Sequence, residues 1–459
     1  MRRLVLVLLL VAGIAAWRAM APDFYLGGIQ VNEADKKVWV SALEGAGFNT
    51  VAVTAYAKQG DWDSANLWFD PPDVWLLEEI RQARKSGLKV VLILRVALDH
   101  AFERNKFLWH GMIMPREPDQ LDEWFDRYER FVTDWAAMAE EEGIEMLGIG
   151  SELNSMTSTS TLSELPSLEE YWINEDKTEV ENERLLEHAA AVEARHLSVR
   201  GFDNYETLSG YLEDDTAAHR QWARQVTLAG VEDRVLQING RRRGIEARWR
   251  QLIIAVREIY DGELTYAANF DQYEQVGFWD DLDVIGINAY FPLRDRWEPE
   301  LSEDELFGRL KEGWQVVLTD IEEFRGANDL RDKRVVFTEL GYVARANSTI
   351  EPWAANGFSV LPTDEGEALV VWEDQPEDLE ERALAVRALF DVSREPATAM
   401  LDGILYWKLS SVPAHREVEP FVLILEEDSE DPLLPALRRF TARRPLDRLR
   451  RWAGSLSAG

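Results

Sequence analysis

Residues 144–156 read IEMLGIGSELNSM, an apolar run with two glycines that ends abruptly on the carboxylate of Glu152. A second run of the same form, VVFTELGY at residues 335–342, ends on Glu339. Burying a carboxylate at the end of an apolar strand costs free energy unless the group is paired or functional. Two such strands far apart in the chain therefore predict two carboxylates that meet in one pocket.

The chain around these runs alternates between strand-like and helix-like segments from residue 24 to residue 411. The other predicted strands cover residues 24–31, 49–57, 88–96, 264–271, 283–293 and 403–411. The predicted helices cover residues 33–47, 71–87, about 118–142, 244–260, 304–324 and 379–393. Eight strands separated by helices predict an α/β fold, a closed parallel (β/α)8 barrel of the TIM type.

An open, doubly wound sheet is the competing architecture for this pattern. Such a sheet usually has a glycine-rich phosphate turn after its first strand, and Gly27 and Gly28 alone do not form that motif. The chain exceeds the roughly 250 residues typical of a barrel, and residues 154–243 account for much of the excess. Their Ser/Thr run and acidic, helix-prone segments predict a mostly helical insertion after the fourth strand. It either covers the mouth of the pocket or decorates the surface.

The first residues, 1–21, have the form of an export signal. Two arginines precede an uncharged apolar run at residues 4–17, and a small-x-small cleavage pattern follows. The run is short for a membrane span, but Pro22 is a poor context for cleavage, so a membrane anchor through residues 4–17 stays open. Both alternatives place the protein in the periplasm, outside the cell or on the outer face of the cytoplasmic membrane. The catalytic barrel is then predicted to span residues 22–452.

Charge and cysteine content limit the function. Lys and Arg total 50 against 84 Asp and Glu, which gives a formal net charge of −34. This argues against nucleic acid or an anionic membrane surface as the main partner and favours a neutral substrate. The chain has no cysteine, so disulfides and thiolate metal sites are excluded. Its six histidines are scattered without a metal motif, and we expect no metal and no other cofactor.

In such a barrel the active site lies at the carboxyl ends of the strands. The polar and aromatic residues at these predicted ends are Arg95, Glu152, Asn269, Asn288, Tyr290, Glu339, Trp407 and Lys408. Paired carboxylates are the usual equipment for glycoside hydrolysis, because one protonates the leaving oxygen while the other attacks the anomeric carbon or activates water. We expect Arg95 or a tyrosine hydroxyl to keep Glu339 ionised, and apolar cover to keep Glu152 protonated.

Each residue of this ring also has a structural interpretation, as a partner of another charge or as core filler. The loop residues Asp99, His100 and His110 are expected to be merely solvated. The alternative function is a non-catalytic glycan-binding or cell-envelope protein on a degenerated glycosidase barrel. Ser151, directly before Glu152, and the insertion favour this alternative, whereas the presence of both glutamates within a polar ring favours an enzyme.

Carboxylates at the ends of strands four and seven are typical of clan A glycoside hydrolases. Several stretches resemble glycoside hydrolase family 113, whose characterised members are β-mannanases: IGSEL, RWRQLIIAVREIYDGELTYAANF, FWDDLDVIGINAYFPL and VVFTELGY. The resemblance implies a retaining hydrolase of an oligo- or polysaccharide, with Glu152 as general acid/base and Glu339 as nucleophile. The residues that it implies in the sugar-binding part of the cleft are Asn269, Asn288, Tyr290 and Trp407.

One position departs from the clan pattern. The residue just before the acid/base is commonly Asn, which holds the sugar's 2-hydroxyl, but this chain has Ser151 there. Asn154 is the candidate to take over that role, and Arg95 completes the predicted substrate-binding set. If the enzyme retains configuration, the carboxyl groups of Glu152 and Glu339 are expected about 5–5.5 Å apart, whereas inversion needs about 6.5–9.5 Å.

Overall fold

The computed structural model describes residues 24–72, 74–115, 117–157, 208–228, 234–295, 301–354, 359–362, 368–371, 376–426 and 429–442. Within these residues, eight parallel strands pair in chain order, and the eighth pairs with the first to close a barrel. The strands are β1 Tyr25–Gln30, β2 Thr50–Gln59, β3 Lys89–Leu98, β4 Met146–Ser151, β5 Glu263–Asn269, β6 Val284–Asn288, β7 Arg334–Leu340 and β8 Leu401–Ser410. The predicted (β/α)8 barrel is confirmed, and the open sheet is not found.

Helices separate the strands around the outside of the barrel. In the described part of the chain they are α1 Lys36–Gly45, α2 Val74–Lys85, α3 Pro118–Glu142, α4 Asn154–Thr157, α5 Leu208–Leu228, α6 Arg234–Arg257, α7 Glu303–Ala327, α8 Leu379–Val392 and α9 Leu433–Arg438. Short strands also lie in segments where the sequence predicts neither a strand nor a helix. Leu67–Trp68 pairs with β2, Leu423–Ile424 pairs with β8, and Ser359–Pro362 forms a hairpin with Ala368–Val371.

Local sequence accounts for several helix ends. The side chain of Asp35 accepts hydrogen bonds from the first turn of α1, and Ser302 forms a capping box with Glu305 at the start of α7. Helix α3 ends at Gly143, whose φ of 65° lies in the left-handed region that glycine adopts at little cost. These caps satisfy backbone groups that the helices themselves leave unpaired.

The strands are buried on both faces, which explains their nearly continuous apolar sequences. Residues inside the barrel form a small cluster that includes Ile29, Val91, Ile93 and Leu405, whereas a much larger cluster fills the space between strands and helices. Gly27 belongs to this packing, since a methyl group there would overlap the carbonyl of Thr50 on the neighbouring strand. The glycine pair of β1 therefore serves close strand packing.

The described part of the insertion is helical, as predicted, and consists of α4, α5 and the first residues of α6. Helix α5 lies beside loops at the carboxyl ends of β2 and β3. The indole of Trp222 is 2% exposed, packs edge-on against Trp62 at 6.2 Å between ring centroids, and donates a hydrogen bond to the carbonyl oxygen of Met112 at 3.0 Å. This helix therefore contacts the end of the barrel that carries the predicted site. Residues 158–207 and 229–233 lie outside the described residues.

Residues 1–23 also lie outside the described residues, so the export signal and the anchor through residues 4–17 stay predictions. Among the helices that are described, none combines the length and apolar character needed to cross a membrane. The C-terminal region, which contains α9, is described as far as residue 442.

Candidate active site

The ends of β4 to β7 form one continuous edge. Asn269 pairs with Asn288 across β5 and β6, and Asn288 pairs with Glu339 across β6 and β7. On the other side, the backbone N–H of Glu152 donates to the carbonyl of Ala267 on β5 at 2.9 Å. The sequence-predicted strand-end residues therefore lie at the same rim of the barrel.

The backbone of Glu152 adopts a left-handed conformation with φ of 50°. A residue with a Cβ adopts this conformation at a cost of roughly 1–2 kcal/mol. The adjacent residue is held by the hydroxyl of Tyr266, which accepts a hydrogen bond from the N–H of Leu153 at 2.7 Å. Strained residues that are held in this way are common at functional sites.

Glu339 is 4% exposed and contacts two side chains that stabilise its charge. Arg95 forms an ion pair with its Oε1, and the Tyr290 hydroxyl donates to its Oε2 at 2.8 Å. Burial, together with the negative charge of Glu152, raises the pKa of Tyr290 well above its ordinary value, so the phenol keeps its proton. The expected contacts of Glu339 with Arg95 and with a tyrosine hydroxyl are both present.

Glu152 is surrounded by polar groups. His110 Nε2 lies 3.0 Å from its Oε2, and the amide of Asn288 donates to its Oε1 at 2.9 Å. Burial raises the pKa of Glu152, but the hydrogen bond from His110, the charge of Arg95 and the amide of Asn288 outweigh it and lower this pKa to about 2. The expectation that apolar cover keeps Glu152 protonated is therefore wrong.

Arg95 and Tyr290 act on both glutamates. Each contacts Glu339 directly. The charge of Arg95 also lowers the pKa of Glu152, and the charge of Glu152 in turn raises the pKa of Tyr290. Since these effects fall off with distance, the two carboxylates belong to one electrostatic site.

The amide of Asn288 has a defined orientation. The hydroxyl of Thr338 donates to its Oδ1 at 2.8 Å, which leaves its Nδ2 to face Glu152. Ser151 Oγ lies 3.4 Å from the same nitrogen. Asn288 is fully buried and held by Thr338, so its amide fixes the position of the Glu152 carboxylate.

His110 is the site residue whose role the sequence interpretation missed. It belongs to a short 3-10 turn, His110–Met112, in the loop after β3. No strand-end position or motif distinguishes it from His100, whose ring instead hydrogen-bonds to the carbonyl of Leu108 at 3.0 Å. Only the course of this loop brings His110 to Glu152.

The other predicted residues differ in how closely they join the cluster. Trp407 is partly buried, with the guanidinium carbon of Arg95 5.1 Å from the ring centroid. The amide oxygen of Asn269 accepts from the N–H of Phe270 at 2.9 Å. Asn154 is 3% exposed, and its amide atoms form no hydrogen bond with the described residues. Its predicted substitution for the clan asparagine therefore stays a prediction.

The donor set of this site is suited to acid–base and nucleophilic chemistry. Across the described residues, no group of three or more His, Asp or Glu side chains is placed to hold a metal ion. The cluster instead offers two carboxylates with different partners, one beside a histidine and an amide, the other beside a guanidinium and a phenol. Glycoside hydrolysis by two carboxylates requires such a difference in environment, because the two groups have different roles.

Comparison with known proteins identifies the family of this chain. The model of Glycoside Hydrolase Family 113 matches residues 26–162 and 228–366, which is more than half of the chain. The unmatched stretch between these segments falls inside the predicted insertion, and β8 lies beyond the second segment. Among curated protein sequences, none matches this chain.

Solved structures of the same family share the fold. A GH113 β-mannanase from Alicyclobacillus acidocaldarius, in complex with ManMIm, has a TM-score of 0.56 at 18% identity, covering 92% of this chain and 98% of that one. A GH113 β-1,4-mannanase structure has a TM-score of 0.55 at 18% identity, covering 92% of this chain and 100% of that one. The chain therefore belongs to Glycoside Hydrolase Family 113 and is a glycoside hydrolase on a (β/α)8 barrel.

Proposed function

We propose that this glycoside hydrolase cleaves a β-linked, mannan-type glycan with retention of configuration, using Glu339 as nucleophile and Glu152 as general acid/base. The observation that carries the proposal is the different surroundings of the two acids. Arg95 and Tyr290 hold Glu339, whereas His110 and Asn288 hold Glu152. The β-mannanase activity named for the family structures supports the choice of substrate.

In the first step, Glu339 attacks the anomeric carbon and the bond to the leaving oxygen breaks, which gives a covalent glycosyl-enzyme. The ion pair with Arg95 and the hydrogen bond from Tyr290 fix the orientation of the carboxylate. Attack by a group held in position avoids much of the entropy cost of bringing the reactants together.

The leaving oxygen needs a proton in the same step, and Glu152 is ionised in the substrate-free site at neutral pH. We infer that this proton comes from solvent by way of His110, whose ring takes up a proton at Nδ1 and passes one from Nε2 to Glu152 when a sugar excludes water from the pair. In the second step, Glu152 removes a proton from the water that attacks the glycosyl-enzyme, and Glu339 is released as carboxylate.

The test is a substrate panel with stereochemical readout. The purified protein is incubated with β-mannans, β-glucans and aryl β-glycosides, and the anomeric form of the first product is followed by NMR. The proposal expects hydrolysis of β-mannan with an initial β product. An initial α product would overturn retention, while hydrolysis of β-glucan alone would overturn the substrate assignment.

The geometry of the site favours an enzyme over the non-catalytic alternative. A degenerated barrel is expected to lose at least one carboxylate or its partners, yet each glutamate here contacts two polar side chains. Glycan binding without turnover in the same panel would favour this alternative.

We also propose that the protein is exported, either cleaved after residue 21 or anchored through residues 4–17. The basic start and the following apolar run support this proposal. Cell fractionation and N-terminal sequencing of the mature protein test it. Recovery of the intact chain in the cytoplasmic fraction would overturn it.

A further inference from the structure

Lys408 is a cation beside the site with no role in the chemistry proposed above. It follows Trp407 in β8, and the peptide bond between the two residues is cis. Its ammonium nitrogen lies 4.1 Å from the centroid of the Trp407 ring. The side chain is partly buried and forms no hydrogen bond or ion pair with any residue that the structure describes. Its three N–H donors are therefore available.

Lys408 is partly buried, so an ammonium without a hydrogen-bond acceptor costs free energy at this position. Burial lowers the pKa of Lys408, the charge of Glu419 opposes this effect, and the positive charge of Arg95 adds to it. Arg95 lies near the same Trp407 ring but is paired with Glu339. A partly buried ammonium needs acceptors to replace its lost hydration. Among the described residues, none accepts a hydrogen bond from this ammonium, which lies over the ring of Trp407.

The side chain of Trp407 also has a donor without a partner among the described residues. Its indole N–H forms no hydrogen bond with a described residue, although the ring packs near Tyr290, Val343 and Phe421 at the rim. An aromatic ring and two unused donors side by side are suited to a sugar, which offers an apolar face and several oxygen acceptors.

We propose that Lys408 donates hydrogen bonds to hydroxyl oxygens of the sugar unit that lies against Trp407, and so determines which sugars the site accepts. The inference rests on the proposed function, because it places the sugar of that reaction. A neutral sugar fits better than an acidic one. Glu152, Glu339 and Glu419 already outnumber Arg95 and Lys408 in this region, and the whole chain carries a net charge of −34.

The first test replaces Lys408 by Met, which keeps the length of the side chain and removes its donors. On the best neutral substrate of the panel, K408M should lower kcat/KM about tenfold or more, the range for losing hydrogen bonds from a charged donor. Lys85 at the exposed end of α2 provides the matched control, K85M, which should leave kcat/KM unchanged. Equal kcat/KM for K408M and the wild type would overturn the proposal.

The second test uses substrates that each lack one hydroxyl. With the wild type, kcat/KM for one monodeoxy aryl glycoside should be about tenfold lower than for the parent glycoside. With K408M, the parent and this deoxy glycoside should have equal kcat/KM, because the hydroxyl and the lysine form the same contact. A uniform loss for K408M on every deoxy substrate would show a structural effect. A larger loss on a glycuronide than on the neutral glycoside would assign Lys408 to a carboxylate and overturn the hydroxyl assignment.

These results are separable from failure of the proposed function. If mannosides are inert and another neutral glycoside is cleaved, the substrate proposal fails while the K408M ratio is still measured. If no substrate turns over, calorimetry with E339A and with the double variant E339A/K408M measures the binding of neutral oligosaccharides. Equal affinity of the two proteins, or no binding by either, would overturn the role of Lys408.

Discussion

His110 Nε2 lies 3.0 Å from Oε2 of Glu152, so a loop histidine contacts the carboxylate proposed as general acid/base. This contact, the charge of Arg95 and the amide of Asn288 lower the pKa of Glu152 to about 2 against the effect of burial. The ordinary value for a glutamate is 4.5. The difference links the site to the stability of the protein in acid.

The first prediction concerns this linkage. A carboxyl group whose pKa is lowered by folding stabilises the folded state above its ordinary pKa, and this contribution is lost as the pH falls toward its folded pKa. Between about pH 5 and pH 2, the wild type should therefore lose stability relative to E152Q, by on the order of 3 kcal/mol. Chemical unfolding of both proteins across this pH range measures the difference. A difference that does not change with pH would contradict the lowered pKa.

The second prediction concerns the nucleophile. E339A should lose at least about 10³-fold in kcat on β-mannosides, because no covalent intermediate can form. Azide should restore part of the activity with an activated aryl glycoside and yield the α-glycosyl azide, since a single displacement inverts the anomeric carbon.

E152A is the matched control for the azide experiment. Its nucleophile is intact, so azide intercepts the glycosyl-enzyme and the azide product should be β. Rescue of both variants with the same product configuration would refute the division of roles between Glu339 and Glu152. NMR of the isolated azides gives the result.

The third prediction concerns protonation of the leaving group. E152A should have a kcat/KM about 10²–10⁴-fold lower on oligosaccharides, whose leaving groups need a proton. The decrease should be much smaller on dinitrophenyl glycosides, whose leaving groups do not need one. Values of kcat/KM for a series of aryl glycosides test this by their dependence on leaving-group pKa. A loss of the same size across the series would show that Glu152 is not the acid.

The fourth prediction concerns the hydrogen bond from Tyr290 to Glu339. Y290F should lower kcat about 10–100-fold, the range for a hydrogen bond to a charged group. Tyr25 offers a matched control, because its hydroxyl donates to Glu263 at 2.7 Å near the start of β1 and β5, away from the site. Y25F should lower the melting temperature without changing kcat. Equal effects of both substitutions on kcat would indicate a general loss of stability.

The sequence predicts the two glutamates because their positions follow from local patterns. The apolar runs before Glu152 and Glu339 are long enough to identify strands, and the barrel places the ends of those strands at one rim. Arg95, Asn288 and Tyr290 follow from the same logic. Positions set by strand ends are therefore predictable without knowledge of tertiary contacts.

Contacts made by loops are not predictable in this way. His110 reaches Glu152 through a turn whose course depends on packing against residues distant in sequence, including Trp222 more than one hundred residues later. The protonation state of Glu152 was therefore wrongly predicted, because it depends on that contact. The short strand Leu423–Ile424 was missed for a related reason, since two residues carry no periodicity and form a strand only beside β8.

The last prediction joins the insertion to the acid/base. Trp222 of α5 donates to the carbonyl of Met112, two residues after His110, so the insertion supports the turn that carries this histidine. W222F keeps most of the aromatic packing against Trp62 and removes the N–H. It should lower kcat/KM on oligosaccharides about 3–10-fold, the range for a neutral hydrogen bond. In the H110A background, W222F should not lower kcat/KM further, because the histidine through which Trp222 acts on Glu152 is absent. Kinetics of the four proteins complete the cycle, and additive losses would show that Trp222 does not act through His110.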